Sequence, residues 1–150
     1  MVDIADTAIV RRVPTRDAVA SRAPASIGHA AHGPLAAIAA EPWRSLAQRA
    51  IEPNGYYLPE WEQAIDASAR GRSGVFALSA WSSAAAERLT GLMPVIPMWR
   101  AYKIPLPAFV SADPYGTLCT PLLDRDNAED AALQLMRQAR KAGALMPRFD

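Results

Sequence analysis

Two histidines, one cysteine and a knot of carboxylates are the residues of this chain whose types could do chemistry. His29 and His32 stand at H-x-x-H spacing, which could give two ligands to one metal ion. No cysteine lies near them and the surrounding sequence offers no rigid support, so they read as part of a solvated tail. With no histidine expected in the folded part, Ser-His and Cys-His nucleophile chemistry is excluded unless that tail folds back. Cys119 lies in GTLCTP, within an expected strand, where a free cysteine is ordinarily a small buried hydrophobe. No P-loop and no G-x-G-x-x-G occurs.

Carboxylates remain. Glu52, Glu60, Glu62 and Asp66 cluster in and around EPNGYYLPEWEQAI, residues 52 to 65, and Asp113 lies at a turn. A general base needs a carboxyl pressed against an apolar wall, so that its pKa rises. Glu60, beside Trp61 and Tyr57, is the best local candidate for such a base. Its place in the first turn of a helix nevertheless favours a solvated carboxylate held by the helix dipole. The same stretch packs two prolines, two tyrosines, a tryptophan and Asn-Gly into one joint. It is either a hydrophobic hinge or a wall facing a substrate, and on both readings Trp61 is expected in the core.

The elements that must position these residues follow from pattern. At 150 residues, 51% hydrophobic and 21% charged, the composition is that of one ordinary globular domain. A net charge of +1 gives no reason to expect nucleic acid or a membrane as partner. The N-terminus has no signal-like apolar region, and its longest nearby apolar run, Pro34 to Ala40, falls far short of the roughly 20 residues of a membrane span. The single cysteine suits a reducing compartment, and a cytoplasmic location is the expectation. Residues 1 to 37 contain no Trp, Tyr or Phe and no sustained periodicity, which predicts a disordered tail ahead of a domain over 38 to 150.

Glu41-Pro42 opens a first helix with Trp43, Leu46, Ala47 and Ala50 on one stripe, and Pro53-Asn54-Gly55 ends it. Pro59 starts a second, with Trp61, Ala64, Ile65 and Ser68 inward, closed by Arg70 to Gly74. VFALSAW (75 to 81) and LTGLMPVIPMW (89 to 99) read as a hairpin, with Pro94 and Pro97 leaving the second strand bent, bulged or at a sheet edge there. Residues 104 to 111 and 115 to 123 are two more strands. Asp126 and Glu129 open a last helix with Ala132, Leu135, Met136 and Ala139 inward and Gly143 at its end. Grouped strands between helices predict an α+β fold, a mainly antiparallel sheet of about four strands flanked by three helices.

Taken in order, Trp43-x-x-Leu46, Glu52-Pro53-Asn54, Tyr57, Pro59-Glu60-Trp61, Leu92 and Pro94 of GLMPVIP, and YGTLCTPLLD before a helix make a pattern over about residues 41 to 145. It resembles the N-terminal half of the GNAT-type acyltransferases of bacterial cellulose and exopolysaccharide biosynthesis, the BcsL/CelD type. The resemblance implies half of a double-GNAT-like fold. The second half of such enzymes carries acetyl-CoA or another acyl-CoA on a Gly-rich turn that opens a helix, approximately Q/R-x-x-G-x-G/A. This chain has no such turn, since Arg70-Gly71-Arg72-Ser73-Gly74 precedes a strand, and it stops at LMPRFD where relatives continue. The implied chain is therefore a truncated or N-terminal portion of an N-acetyltransferase that binds no cofactor and supplies no assigned catalytic residue. It would contribute acceptor binding through Tyr56, Tyr57, Glu60 and Trp61 to a small molecule or saccharide. Its partner would be a C-terminal GNAT half, without which the exposed surface around Met93 to Met98 and Tyr102 to Phe109 would drive self-association. The alternative is a non-catalytic interaction module or degenerate remnant.

Overall fold

The computed structural model describes residues 28–68, 74–82, 87–112 and 119–144. Its elements are β1 (His29–Pro34), α1 (Ala40–Arg49), α2 (Pro59–Ser68), β2 (Phe76–Ser82), β3 (Arg88–Pro97), α3 (Met98–Tyr102), β4 (Phe109–Ser111), β5 (Leu122–Leu123) and α4 (Ala128–Ala144). Single 3-10 turns lie at Leu35–Ala37 and Gly55–Tyr57. All strands join one antiparallel sheet in the order β1-β2-β3-β4, with β5 also on β3. This is the α+β fold with an antiparallel sheet that the grouping of strands predicts.

The sheet is covered on both faces. On one, Trp43 and Leu46 of α1 and Ala50 just after it, with Tyr57, pack on Ala77, Leu89, Leu92 and Leu122. On the other, Ala131 and Leu135 of α4 pack on Leu78, Ala80 and Val95. A strand buried on both faces has no use for alternation, which is why β2 reads as a nearly unbroken apolar run. Gly91 lets α4 come close: a Cβ there would lie 3.2 Å from the Leu135 side chain and 3.3 Å from those of Ala131 and Ala80.

Several expectations change. The expected disordered tail reaches too far, because residues 28 to 37 belong to the fold. β1 pairs with β2 from His29↔Trp81 to Pro34↔Phe76, and Leu35 is buried. Residues 1 to 27 lie outside the described residues. Ala, His and Gly carry little intrinsic strand signal, so the ladder offered by β2 decides this segment rather than its own propensity.

β3 is interior, not an edge, so the surface expected at Met93 to Met98 is largely covered. Pro94 survives there because of where its nitrogen points. Its carbonyl accepts the Ala112 N–H at 3.0 Å, so Pro94 faces the side of β3 shared by β4 and β5. β4 pairs with Val95 to Pro97 and β5 with Gly91 and Leu92, and Pro94 falls in the gap between the two ladders. A missing donor costs little there. The irregularity sits instead at Ala80/Trp81, where Thr90 is the extra residue of β3 and its hydroxyl donates to the Ala80 carbonyl at 3.1 Å.

Pro97 ends β3 and caps α3, a helix that takes in Met98 and Trp99, the expected end of the strand. The two later strands shrink to three and two residues. Expected turn residues 113 and 114 lie outside the described residues. In α1 Pro42 is third rather than first, and in α4 Gly143 lies inside the helix. The buried face of α4 is Ala131, Leu135 and Ala142, while Met136 is exposed.

Candidate functional site

The joint between α1 and α2 is built around Asn54. Its side-chain oxygen accepts the Tyr56 N–H at 3.0 Å and opens the 3-10 turn. That turn sends the consecutive tyrosines in opposite directions. Tyr57 is fully buried: its carbonyl accepts the Trp43 indole N–H at 2.6 Å, and its hydroxyl lies 2.8 Å from the Ser111 hydroxyl. It ties the joint to β4 and is out of reach of a substrate.

Tyr56 and Trp61 stand at the surface, 39% and 43% exposed, in edge-to-face contact with centroids 5.8 Å apart. Trp61 thus departs from its expected place in the core. The helix phase explains it, since the Glu62 N–H bonds the Leu58 carbonyl and the buried positions of α2 are Pro59, Glu62 and Ile65. With those three inward, Trp61 and Ala64 turn outward.

Glu60 is an exposed carboxylate paired with the Arg44 guanidinium, which also lies 3.9 Å from Glu41. Its pKa is lowered, first by a hydrogen bond from its own backbone N–H and then by Arg44. A base needs the opposite shift, so Glu60 acts as a fixed negative charge. Of the four residues expected to bind an acceptor, Tyr56 and Trp61 meet at the surface, Glu60 is exposed and held by Arg44, and Tyr57 is buried. The Asp66 side chain lies outside what is described, and Glu52 is exposed on the approach to the joint.

The histidines are not in a solvated tail. Both lie in β1, with His29 3.3 Å from Glu87 and stacked on Trp81. His32 stacks on Phe76 at 4.7 Å and tilts against Phe109 at 5.2 Å. Spacing of three on a strand sends the two rings to opposite faces, which is incompatible with one shared metal ion. Among the described residues no group of three or more His, Cys, Asp or Glu could hold a metal. Cys119 is exposed and outside any strand, contrary to expectation.

Among the described residues the most enclosed charged group is one that no local sequence signal marks. Asp124, the last residue of TPLLD, has a fully buried side chain. One carboxylate oxygen accepts the Arg49 Nε–H at 3.0 Å and lies 3.4 Å from the Arg88 guanidinium, and the other accepts the Asp126 N–H at 3.0 Å. The Asp124 N–H donates to the Thr90 carbonyl at 2.9 Å, and the Arg49 carbonyl accepts the Arg125 N–H at 3.1 Å. A carboxylate so held is a structural charge joining α1, β3 and the approach to α4.

Among the described residues no helix opens on a glycine-rich turn: the residues ahead of α1, α2, α3 and α4 are Ala39, Leu58, Pro97 and Asn127. Gly74, at φ +80, leads into β2. The pyrophosphate-binding geometry that the resemblance implies for the cofactor does not fit these residues. Comparison of the chain with protein-family models, with curated proteins and with solved structures gives no match in any of the three.

Proposed function

We propose that the chain is the acceptor-binding half of a GNAT-type N-acyltransferase whose acyl-CoA is held by a separate half. The observation that carries this reading is the exposed Tyr56–Trp61 ring pair, with the exposed Glu60–Arg44 ion pair one residue away in sequence from Trp61. Two large rings left at the surface next to fixed charges of both signs suit an amino sugar or similar acceptor. The apolar face of the acceptor would lie on a ring, and its hydroxyl and amino groups would meet Glu60 and Arg44. In the reaction an acceptor amine takes the acyl group from the thioester sulfur and gives up a proton, and coenzyme A leaves as the thiol. This chain's share is to hold and orient the amine.

The test is titration of the full chain with glucosamine oligosaccharides, followed by chemical shifts of the Tyr56 ring, which lies against Trp61. Saturable shifts that vanish in Trp61→Ala, with stability changed by under about 1 kcal/mol, support the reading. Absence of any shift at millimolar ligand, or shifts unaffected by Trp61→Ala, overturns it. The alternative of a non-catalytic interaction module draws on a different feature, the exposed apolar segment after β3.

A further inference from the structure

α3 and the loop after it form a projection unlike the rest of the surface. None of the five residues of α3 is fully buried. Trp99 is 42% exposed, Tyr102 64%, Ile104 42% and Leu106 54%, so four large apolar side chains stand out of the body within eight positions. Cations accompany them. Lys103 lies 5.8 Å over the Trp99 ring, and Arg100 donates to the Gly74 carbonyl at 3.2 Å.

The backbone of this loop is closed on itself. The Lys103 N–H bonds the Trp99 carbonyl, Leu106 bonds Ile104, Ala108 bonds Leu106, and Met98 bonds Ala108, each at 2.8 Å. Pro105 and Pro107 have no N–H to satisfy. Among the described residues that leaves Ile104 as the one donor from Lys103 to Ala108 not held in this way. Donors already satisfied within the loop lower the cost of bringing this backbone to a headgroup boundary, where water still reaches its remaining carbonyls.

The base of the loop is fixed as well. A Cβ at Gly143 would lie 2.9 Å from the Pro107 carbonyl oxygen, so the last turn of α4 presses directly on the loop. That end of α4 carries the exposed Arg137, Arg140 and Lys141. No carboxylate occurs from Arg88 to Ala112 or from Ala131 to Ala144. The net charge of +1, from which no membrane partner is expected, averages these cations with carboxylates elsewhere in the sequence, Glu41, Glu52 and Glu60 among them.

We infer that the segment Trp99 to Leu106 docks the chain on an anionic phospholipid surface. Ile104 and Leu106 enter the boundary between headgroups and acyl chains. Trp99 and Tyr102 lie at headgroup level, where amphipathic rings are favoured. Arg100, Lys103, Arg140 and Lys141 face the lipid phosphates. The attachment is peripheral, as among the described residues no helix is long and apolar enough to cross a membrane. This inference is independent of the acceptor reading.

Co-sedimentation of the full chain with phosphatidylcholine vesicles, with and without phosphatidylserine, tests it. Binding is expected to the phosphatidylserine vesicles and to weaken as salt is raised. The double variant Ile104→Ser/Leu106→Ser, at exposed positions, should bind roughly tenfold or more weakly. Lys103→Asn removes a charge and keeps a residue tolerant of the left-handed backbone at φ 59. It should lower affinity for phosphatidylserine vesicles only. No binding to these vesicles, or binding unchanged by the double variant, overturns the inference. Self-association without lipid that the double variant abolishes also overturns it, by making the segment a protein interface.

Discussion

His32 sits between two phenyl rings with its Nε2 buried and without a hydrogen-bond partner among the described residues. Burial lowers its pKa from the ordinary 6.5, because a charged imidazole there would lose water and gain no acceptor. The sign of the consequence is fixed by linkage. A folded-state value below the unfolded one means that the unfolded chain binds the proton more tightly. The stability given by neutral His32 is full above 6.5 and is lost as pH falls through 6.5 towards the folded-state value. Thermal melts from about pH 7 to about pH 5 should show a falling midpoint, and His32→Phe should flatten that part of the profile. An unchanged slope in the variant would assign the fall to carboxylates instead. At this scale the candidate site is half legible in sequence. Glu60 is readable because a first-turn position decides its environment locally. Trp61 is not, because the largest apolar residue of a helix does not set the helix's phase when Glu62 and Ile65 are the ones buried. Asp124 is not, because its partner Arg49 lies 75 positions away.

Elements differ in how much of their signal is local. β2, β3 and α4 announce themselves, since their apolar content is long enough to be read without knowing what covers it. β1 draws its structure from β2, β4 draws its own from the end of β3 and β5 from its middle, so none is strong alone. α3 is hidden because Pro97 reads as a strand breaker but serves here as a helix cap. The role of β1 gives a test against the expectation that the fold starts at residue 38. Removing residues 1 to 37 would strip six ladder pairs from β2 and take away the buried Leu35. It would also leave β2 as an open edge that can pair with another chain. A chain beginning at 38 should melt lower than one beginning at 28, and sedimentation velocity should show it associating at tens of micromolar. Equal melting and a monodisperse monomer for both would mean that β1 is a passive addition to a self-sufficient sheet.

At the scale of the whole molecule, two cores lie on opposite faces of one sheet, and little apolar contact can pass through it. What connects them is polar. Arg49 at the end of α1, Arg88 and Thr90 on β3, and the turn at Asp126 ahead of α4 all converge on Asp124. A buried charge of this kind is costly to orphan, about 3 to 5 kcal/mol when one partner is removed. Asp124→Ala should therefore destabilise the chain by about that amount in urea denaturation, because Arg49, only 27% exposed, keeps its charge without its partner. Arg49→Met alone leaves Asp124 buried with Arg88 and should cost less. Combining the two should cost clearly less than the sum, since the second change removes a charge that the first has already orphaned. A second readout separates a lost pair from a lost connection between layers. If Asp124 couples the two cores, its removal should broaden the transition and lower the apparent m-value, because α1 and α4 would no longer leave the sheet together. If the costs instead add and the m-value stays constant, the backbone bonds from Asp124 to Thr90 and from Ile51 to Leu123 hold the layers together, and the carboxylate only neutralises its neighbours.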